Sequence, residues 1–254
     1  MHVKIMGAGP DLVLLHGWAM HSGIWQCVCE QLAQNFRLHL VDLPGHGLSS
    51  AGKSESLQDM VEMVADILPD NCIVGGWSLG GQVAIELALQ RPIQVEKLVL
   101  IATTPCFIKR EGWRCGMDAT ILKMFTQNLA QNYETTISRF LTLQLSGGSD
   151  SKTVLGSLKK TFFQYSQPDH TALQVGLDIL LASDLRERFS GIKQPVLLLH
   201  GENDVITHAM AASWMSQQLP GAKLVMFPNC GHAPFLSFSH QFITHLNDFR
   251  LQAR

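Results

Sequence analysis

CIVGGWSLGGQVAIELAL, residues 72–89, is the stretch from which the rest of the chain can be read. Its opening, Cys72 to Val74, is apolar without alternation, as in a strand covered on both faces. From Leu79 the apolar residues continue through Val83, Ala84, Ile85 and Leu87, the density of a buried helix. Between the two stands Gly76-Trp77-Ser78-Leu79-Gly80, a GxSxG in the strand–turn–helix setting that this motif needs. The turn is sharp, so small residues must flank the serine. It lifts the Ser78 hydroxyl above the sheet at a helix N-terminus, where the helix dipole and the Leu79 amide can stabilise a developing oxyanion. Ser78 is therefore expected to be a nucleophile.

Apolar runs of the same kind recur at 12–15, 38–41, 98–102, 196–200 and 223–227. Helical spacing fills the intervals at 25–34, 57–68 and 79–89 and returns at 242–251; Leu57, Met60, Val61, Val64 and Leu68 show it clearly. Strands alternating with helices predict an α/β fold, a mostly parallel sheet flanked by helices. From about 106 to 182 the rhythm breaks. Helical patterns there run through Ile121, Phe125 and Leu129, then Ile137, Phe140, Leu141 and Gln144. They continue through Leu155, Leu158 and Phe162 and through Leu173, Leu177 and Leu181, with helix starts at Ser151 and at Pro168-Asp169. The expectation is one domain over 1–254 with a helical lid inserted at about 106–182.

Composition excludes several classes. The 254 residues are 46% hydrophobic and 16% charged with net charge −2, neither the basic balance of a nucleic-acid binder nor the polarity of a disordered chain. No apolar run approaches the ~20 residues of a membrane span. Met1-His2-Val3-Lys4 does not begin an apolar leader, so a cytoplasmic location is expected. The six cysteines form no CxxC pair or Cys/His ligand spacing, which favours reduced thiols and no metal site. Charge is divided unevenly: 106–182 holds eight Lys/Arg against six Asp/Glu, and the remainder is net −4. Arg139, Lys152, Lys159 and Lys160 are opposed locally only by Asp150, either a solvated helix face or a docking surface for an acidic partner.

A serine nucleophile needs a base, and the base needs an acid to hold it. In this architecture the chain order is Ser, acid, His. The acid falls after the run at 196–200, in Gly201-Glu202-Asn203-Asp204, at the carboxyl end of a strand where open α/β sheets place their sites. Asp204 is preferred to Glu202 because it leads into the next segment. The base is His232, in the loop Asn229-Cys230-Gly231-His232 after the last strand. A second oxyanion donor is expected from His16-Gly17-Trp18, through the Trp18 amide, with the Trp18 ring lining an acyl pocket. Asp42, in Asp42-Leu43-Pro44-Gly45-His46-Gly47, reads as a brace for its loop, and His46 as a rim residue without a role.

The HGW loop, VDLPGHGLS, GWSLGG, GENDVI and CGHAPF, in this order over essentially the whole chain, resemble the α/β-hydrolase superfamily of serine esterases. LVLLHGWAMHSGIW, LHLVDLPGHG, TTPCF, SRFLTLQ and GHAPFLS are similar to its carboxylesterases of biotin synthesis, which cleave the methyl ester of pimeloyl-acyl-carrier protein. The resemblance implies that Ser78, Asp204 and His232 are the triad, with Trp18 and Leu79 around the acyl carbonyl. It further implies that Phe140, Leu141, Thr142, Leu143 and Gln144 line the substrate channel. Arg139 matches an arginine used in carrier docking and Lys152 a similar basic position, whereas Thr135 and Gly156 stand where the family carries further arginines. The implied partners are an acyl-carrier protein and small acyl esters, with no cofactor, nucleic acid or membrane. A general short-chain carboxylesterase, a carbon–carbon-bond hydrolase and a non-catalytic ligand receptor are the alternatives on the same scaffold. Serine at position 78 excludes an aspartate nucleophile.

Overall fold

The computed structural model describes residues 1–52, 54–144, 151–162 and 168–252, without the side chains of 151–154, 157 and 161. Seven strands form one sheet: β1 Val3–Met6, β2 Asp11–Leu15, β3 Arg37–Val41, β4 Cys72–Trp77, β5 Val95–Ile101, β6 Val196–Gly201 and β7 Lys223–Phe227. Their spatial order is β1-β3-β2-β4-β5-β6-β7, and all neighbours are parallel except β1, which runs antiparallel to β3. The six expected strands are present. β1 was not expected; it is an edge strand whose Val3 and Met6 are half-buried while Lys4 and Ile5 face solvent.

Helices α1 Gln26–Leu32, α2 Leu57–Ala65 and α3 Leu79–Gln90 connect the first strands. After β5 and before β6 come α4 Ala119–Gln131, α5 Tyr133–Leu143, α6 Ser151–Phe162 and α7 His170–Ala182. The short α8 Arg186–Phe189 follows, then α9 Ala209–Gln218, α10 Pro234–Ser237 and α11 Ser239–Leu251. Asp169 caps α7 by accepting from the amides of Thr171 and Ala172, at the start expected there. α9 escaped the sequence reading. Its buried residues are mostly alanine, Ala211 and Ala212 with Met215, which give little periodic signal.

The core lies on both faces of the sheet. Every residue of β4 and β6 is buried, and α3 buries Leu79 through Ala88 against β4 and β5. Central parallel strands without an exposed face explain the unbroken apolar runs. Among the described residues no helix is long and apolar enough to cross a membrane. All six cysteines are free thiols. The carboxyl ends of β2, β4, β6 and β7 open onto the loops carrying Trp18, Ser78, Asp204 and His232.

Candidate active site

Ser78 stands between β4 and α3 with φ 54° and ψ −117°, a conformation L-residues adopt at a cost of about 1–3 kcal/mol. The turn is held on three sides: the Ser78 amide donates to Ile101 O at 3.0 Å, Ser78 O accepts from Gly81 N at 2.9 Å, and the Thr103 hydroxyl donates to the same oxygen at 2.6 Å. Gly80 is required because a Cβ there would lie 2.5 Å from His16 O and 2.6 Å from Leu15 O. The helix that begins after Ser78 thus packs directly on the end of β2.

The acid and base loops meet by a similar close approach. A Cβ on Gly201 would fall 2.1 Å from Gly231 O, and Asn203 N donates to Cys230 O at 2.9 Å. This brings His232 Nδ1 to 2.7 Å from Asp204 Oδ2, where the ring must donate because a carboxylate only accepts. Asp204 Oδ1 accepts the amides of Ile206 at 2.8 Å and Thr207 at 2.9 Å, and the Thr207 hydroxyl donates to Oδ2 at 2.7 Å. Burial alone would raise the Asp204 pKa. The charge of His232 and its hydrogen bond outweigh that, together with His200 and the Thr207 amide, so the carboxyl lies below its ordinary value.

With Nδ1 protonated, Nε2 of His232 is left as the proton acceptor. It is buried and has no partner among the described residues. The His232 amide donates to Gln144 O at 2.9 Å, and its carbonyl accepts from Trp77 Nε1 at 2.8 Å. The ring lies 5.5 Å from that of Trp77, the residue before Ser78. The amides of Leu79 and Trp18 donate to no acceptor among the described residues.

Ser78 opens into a narrow cavity of about 100 Å³ lined almost wholly by apolar atoms. Trp18, Phe107, Phe125, Phe140, Leu143 and Leu177 form much of its wall. The Trp18 indole donates to Leu173 O at 2.8 Å and meets Phe125 and Phe140 edge-on at 5.3 and 5.2 Å. Of the stretch 140–144, Phe140 and Leu143 line the cavity. Leu141 is buried, Thr142 is exposed with its hydroxyl on Ser138 O, and Gln144 meets His232 through its carbonyl; none of these three is in the lining. Arg139 and Lys159 flank a surface depression with Glu134, Thr135 and Ser138. Lys160 is exposed, and the side chain of Lys152 lies outside the described residues. A larger open depression of about 880 Å³, between Pro92, Lys193 and Pro220, contains none of these groups.

The loop residues around Asp42 are more deeply set than their turn-rich sequence suggests. Asp42 accepts from Ser22 N, Leu48 N at 3.0 Å and His2 Nδ1 at 3.0 Å, the contacts of a brace. Burial would raise its pKa, but the amides of Leu48 and Ser22 hold the carboxyl below its ordinary value. His16 Nε2 accepts from Leu43 N at 2.9 Å while Nδ1 donates to Gly17 O at 2.8 Å. His46 is 1% exposed, so it is not the rim residue expected from the sequence. Asp169 N on Gly45 O at 3.0 Å brings the start of α7 over this loop. The sequence reading also missed Thr207. Its position three residues after Asp204 is the one available signal, that of a side chain returning to a nearby turn.

The chain belongs to the α/β-hydrolase fold family, which matches residues 10–238. Within that family it is 53% identical to a curated protein of Nitrosospira multiformis named pimeloyl-[acyl-carrier protein] methyl ester esterase, covering 98% of this chain and 97% of that protein. A Nitrosomonas europaea protein of the same name is 56% identical over 96% of this chain and 97% of its own length. Among solved structures, an esterase from Exiguobacterium antarcticum superposes with a TM-score of 0.91 at 23% identity, covering 98% of this chain and 94% of its own, a likeness of fold.

Proposed function

We propose that this chain hydrolyses the methyl ester of a pimeloyl group carried on an acyl-carrier protein, in the service of biotin synthesis. The observation that carries the chemistry is the hydrogen bond from His232 Nδ1 to a buried Asp204, which leaves Nε2 without a partner among the described residues, together with the strained turn at Ser78. The substrate is carried over from the relatives at 53–56% identity, which bear that name over nearly their whole length. His232 takes the Ser78 proton as the hydroxyl attacks the ester carbonyl. The oxyanion is received by the Leu79 and Trp18 amides, both unused as donors among the described residues, with Leu79 at the N-terminus of α3. His232 passes the proton to departing methanol, then activates the water that releases the acid. Asp204 keeps the imidazole in the tautomer this requires and stabilises the imidazolium.

Residues 106–182 serve as a helical lid on a single hydrolase domain, with Phe140 and Leu143 on the channel wall. Arg139 lies one helical turn before Leu143 on the same face of α5, so the basic depression starts next to the cavity wall. An acidic carrier docked over Arg139, Lys159 and Lys160 would hold its acyl arm at the channel. Ser78→Ala should abolish turnover of the carrier-bound ester with the fold intact; near-normal turnover would overturn the nucleophile. Arg139→Glu combined with Lys159→Glu should lower the ratio of carrier-bound to free-ester kcat/KM by about tenfold, through repulsion replacing attraction. An unchanged ratio would place docking elsewhere.

A further inference from the structure

Resting on the Leu79 oxyanion donor of the reading above, we propose that Thr103 and Thr207 are positioning residues. A strap at the end of β5, Ile101-Ala102-Thr103, aims the Leu79 amide and ties it to the acid. The Ser78 carbonyl and the Leu79 N–H belong to one planar trans peptide and point in opposite directions. Whatever holds Ser78 O therefore aims the Leu79 amide. Ser78 O accepts from the Thr103 hydroxyl at 2.6 Å and from Gly81 N at 2.9 Å. Gly81 is in the first turn of α3 and moves with it, whereas Thr103 stands outside the helix. Thr103 is buried, and a Cβ on Gly81 would lie 2.4 Å from its Oγ1. The second glycine of GWSLGG thus leaves room for the hydroxyl that reaches the Ser78 carbonyl.

The same strap reaches the acid. Ala102 has φ 40°, a left-handed conformation that a non-glycine residue keeps only where its surroundings hold it. Its N–H donates to Leu199 O at 2.9 Å, and its carbonyl accepts from the Thr207 hydroxyl at 3.1 Å. That hydroxyl also lies 2.7 Å from Asp204 Oδ2, so its one proton is shared between the carboxylate and the strap. Ile101 O accepts the Ser78 amide at 3.0 Å. Three successive residues therefore hold Ser78 at its amide and its carbonyl, and Asp204 through Thr207. No proton passes along the strap; it fixes directions. Neither threonine lines the cavity, so the pair acts on the transition state and leaves ground-state binding alone.

The test measures kcat and KM on p-nitrophenyl butyrate for Thr103→Val, Thr207→Val, the double variant and both serine variants, each checked by a thermal melt. Valine keeps the shape of threonine and removes the hydroxyl. Each valine should lower kcat by about three- to tenfold, the worth of one hydrogen bond. KM should not move, because acylation and deacylation use the same donor and base. The serine variants should recover most of the loss. Affinity for 1-butaneboronic acid, whose adduct with Ser78 sets an oxygen at the oxyanion donors, should fall in Thr103→Val by the same factor as kcat. The double variant should be about as slow as the slower single one, since either loss lets the strap relax. Losses that multiply would overturn the strap, and undiminished boronate affinity would overturn the aiming of Leu79. A folded valine variant with parental kcat, a loss carried by KM, or serine variants as slow as the valine ones would overturn the positioning role. If Thr103→Val does not fold, Thr103→Ala takes its place with the same expectations. Parental turnover in Ser78→Ala would instead overturn the reading on which the proposal rests.

Discussion

Replacing Asp204 with asparagine changes no shape, and the surrounding hydrogen bonds dictate what it does. Oδ1 accepts two backbone amides, from Ile206 at 2.8 Å and Thr207 at 2.9 Å, so the asparagine oxygen must occupy that side. Its NH2 then faces His232 Nδ1, where the carboxylate stood 2.7 Å away. The Thr207 hydroxyl adapts by accepting from the amide and turning its proton to Ala102 O at 3.1 Å. His232 must now accept at Nδ1, which puts its proton on Nε2 and leaves nothing to take the Ser78 proton. Flipping the carboxamide would restore the working tautomer but set NH2 against two N–H donors. Each costs about 1–3 kcal/mol, or about 2–6 kcal/mol together. At 1.36 kcal/mol per decade, the competent population and kcat/KM fall by roughly 30-fold to 10⁴-fold. Initial rates on p-nitrophenyl butyrate at pH 7.5, with a thermal melt to verify folding, measure this. A folded Asp204→Asn protein keeping more than a third of parental kcat/KM would refute the tautomer argument.

Three further outcomes are expected. Ser78→Gly should be inactive yet melt roughly 2–6 °C higher, because glycine adopts φ 54° without strain; an unchanged or lower Tm would deny the strain. Gly176→Val would drive a Cβ to 2.6 Å from Trp18 Cδ1, costing about 1–3 kcal/mol of stability and raising KM for short esters, both readable from melts and Michaelis curves. Burial, together with the neighbouring His46, pushes His16 down to about 3 from an ordinary value of 6.5. Between those values the unfolded chain binds more protons than the folded one, so stability rises with pH across the window and is lost as pH falls. The slope from this group is at most about 1.4 kcal/mol per pH unit. His16→Gln should flatten urea midpoints between pH 4.5 and 6.5, and parallel slopes would contradict it.

The sequence was most legible where burial is two-sided. β4, β6 and residues 98–101 of β5 announce themselves as largely apolar runs, and GxSxG between β4 and α3 places the serine without any long-range information. Asp204 and His232 were legible because strand ends in a parallel sheet are where loops must converge. What stayed hidden depends on contacts between distant segments. β1 is half-exposed and exists through pairing with β3, so its four residues carry no pattern of their own. His46 sits in a stretch that reads as a surface turn, and it becomes buried beneath a loop onto which the start of α7 is tied. Phe107 and Phe125 reach the cavity from separate parts of the chain; Phe107 ends the TTPCF stretch and Phe125 lies in a helical pattern, and neither pattern by itself points to a cavity. The geometry of 140–144 follows from helical turn: Phe140 and Leu143 share a face that Thr142 does not.

The contact between Trp77 and His232 has an optical side. The indole donates to the His232 carbonyl and lies beside an imidazole that, on the proposed mechanism, would become cationic each time a proton leaves Ser78. A cationic imidazole quenches indole emission, so the proposed cycle would write a fluorescence signal into the polypeptide itself. Trp25, 6.4 Å from Trp77, is close enough to pass its excitation to the same ring. Stopped-flow emission can thus follow the charge on the base with no label attached.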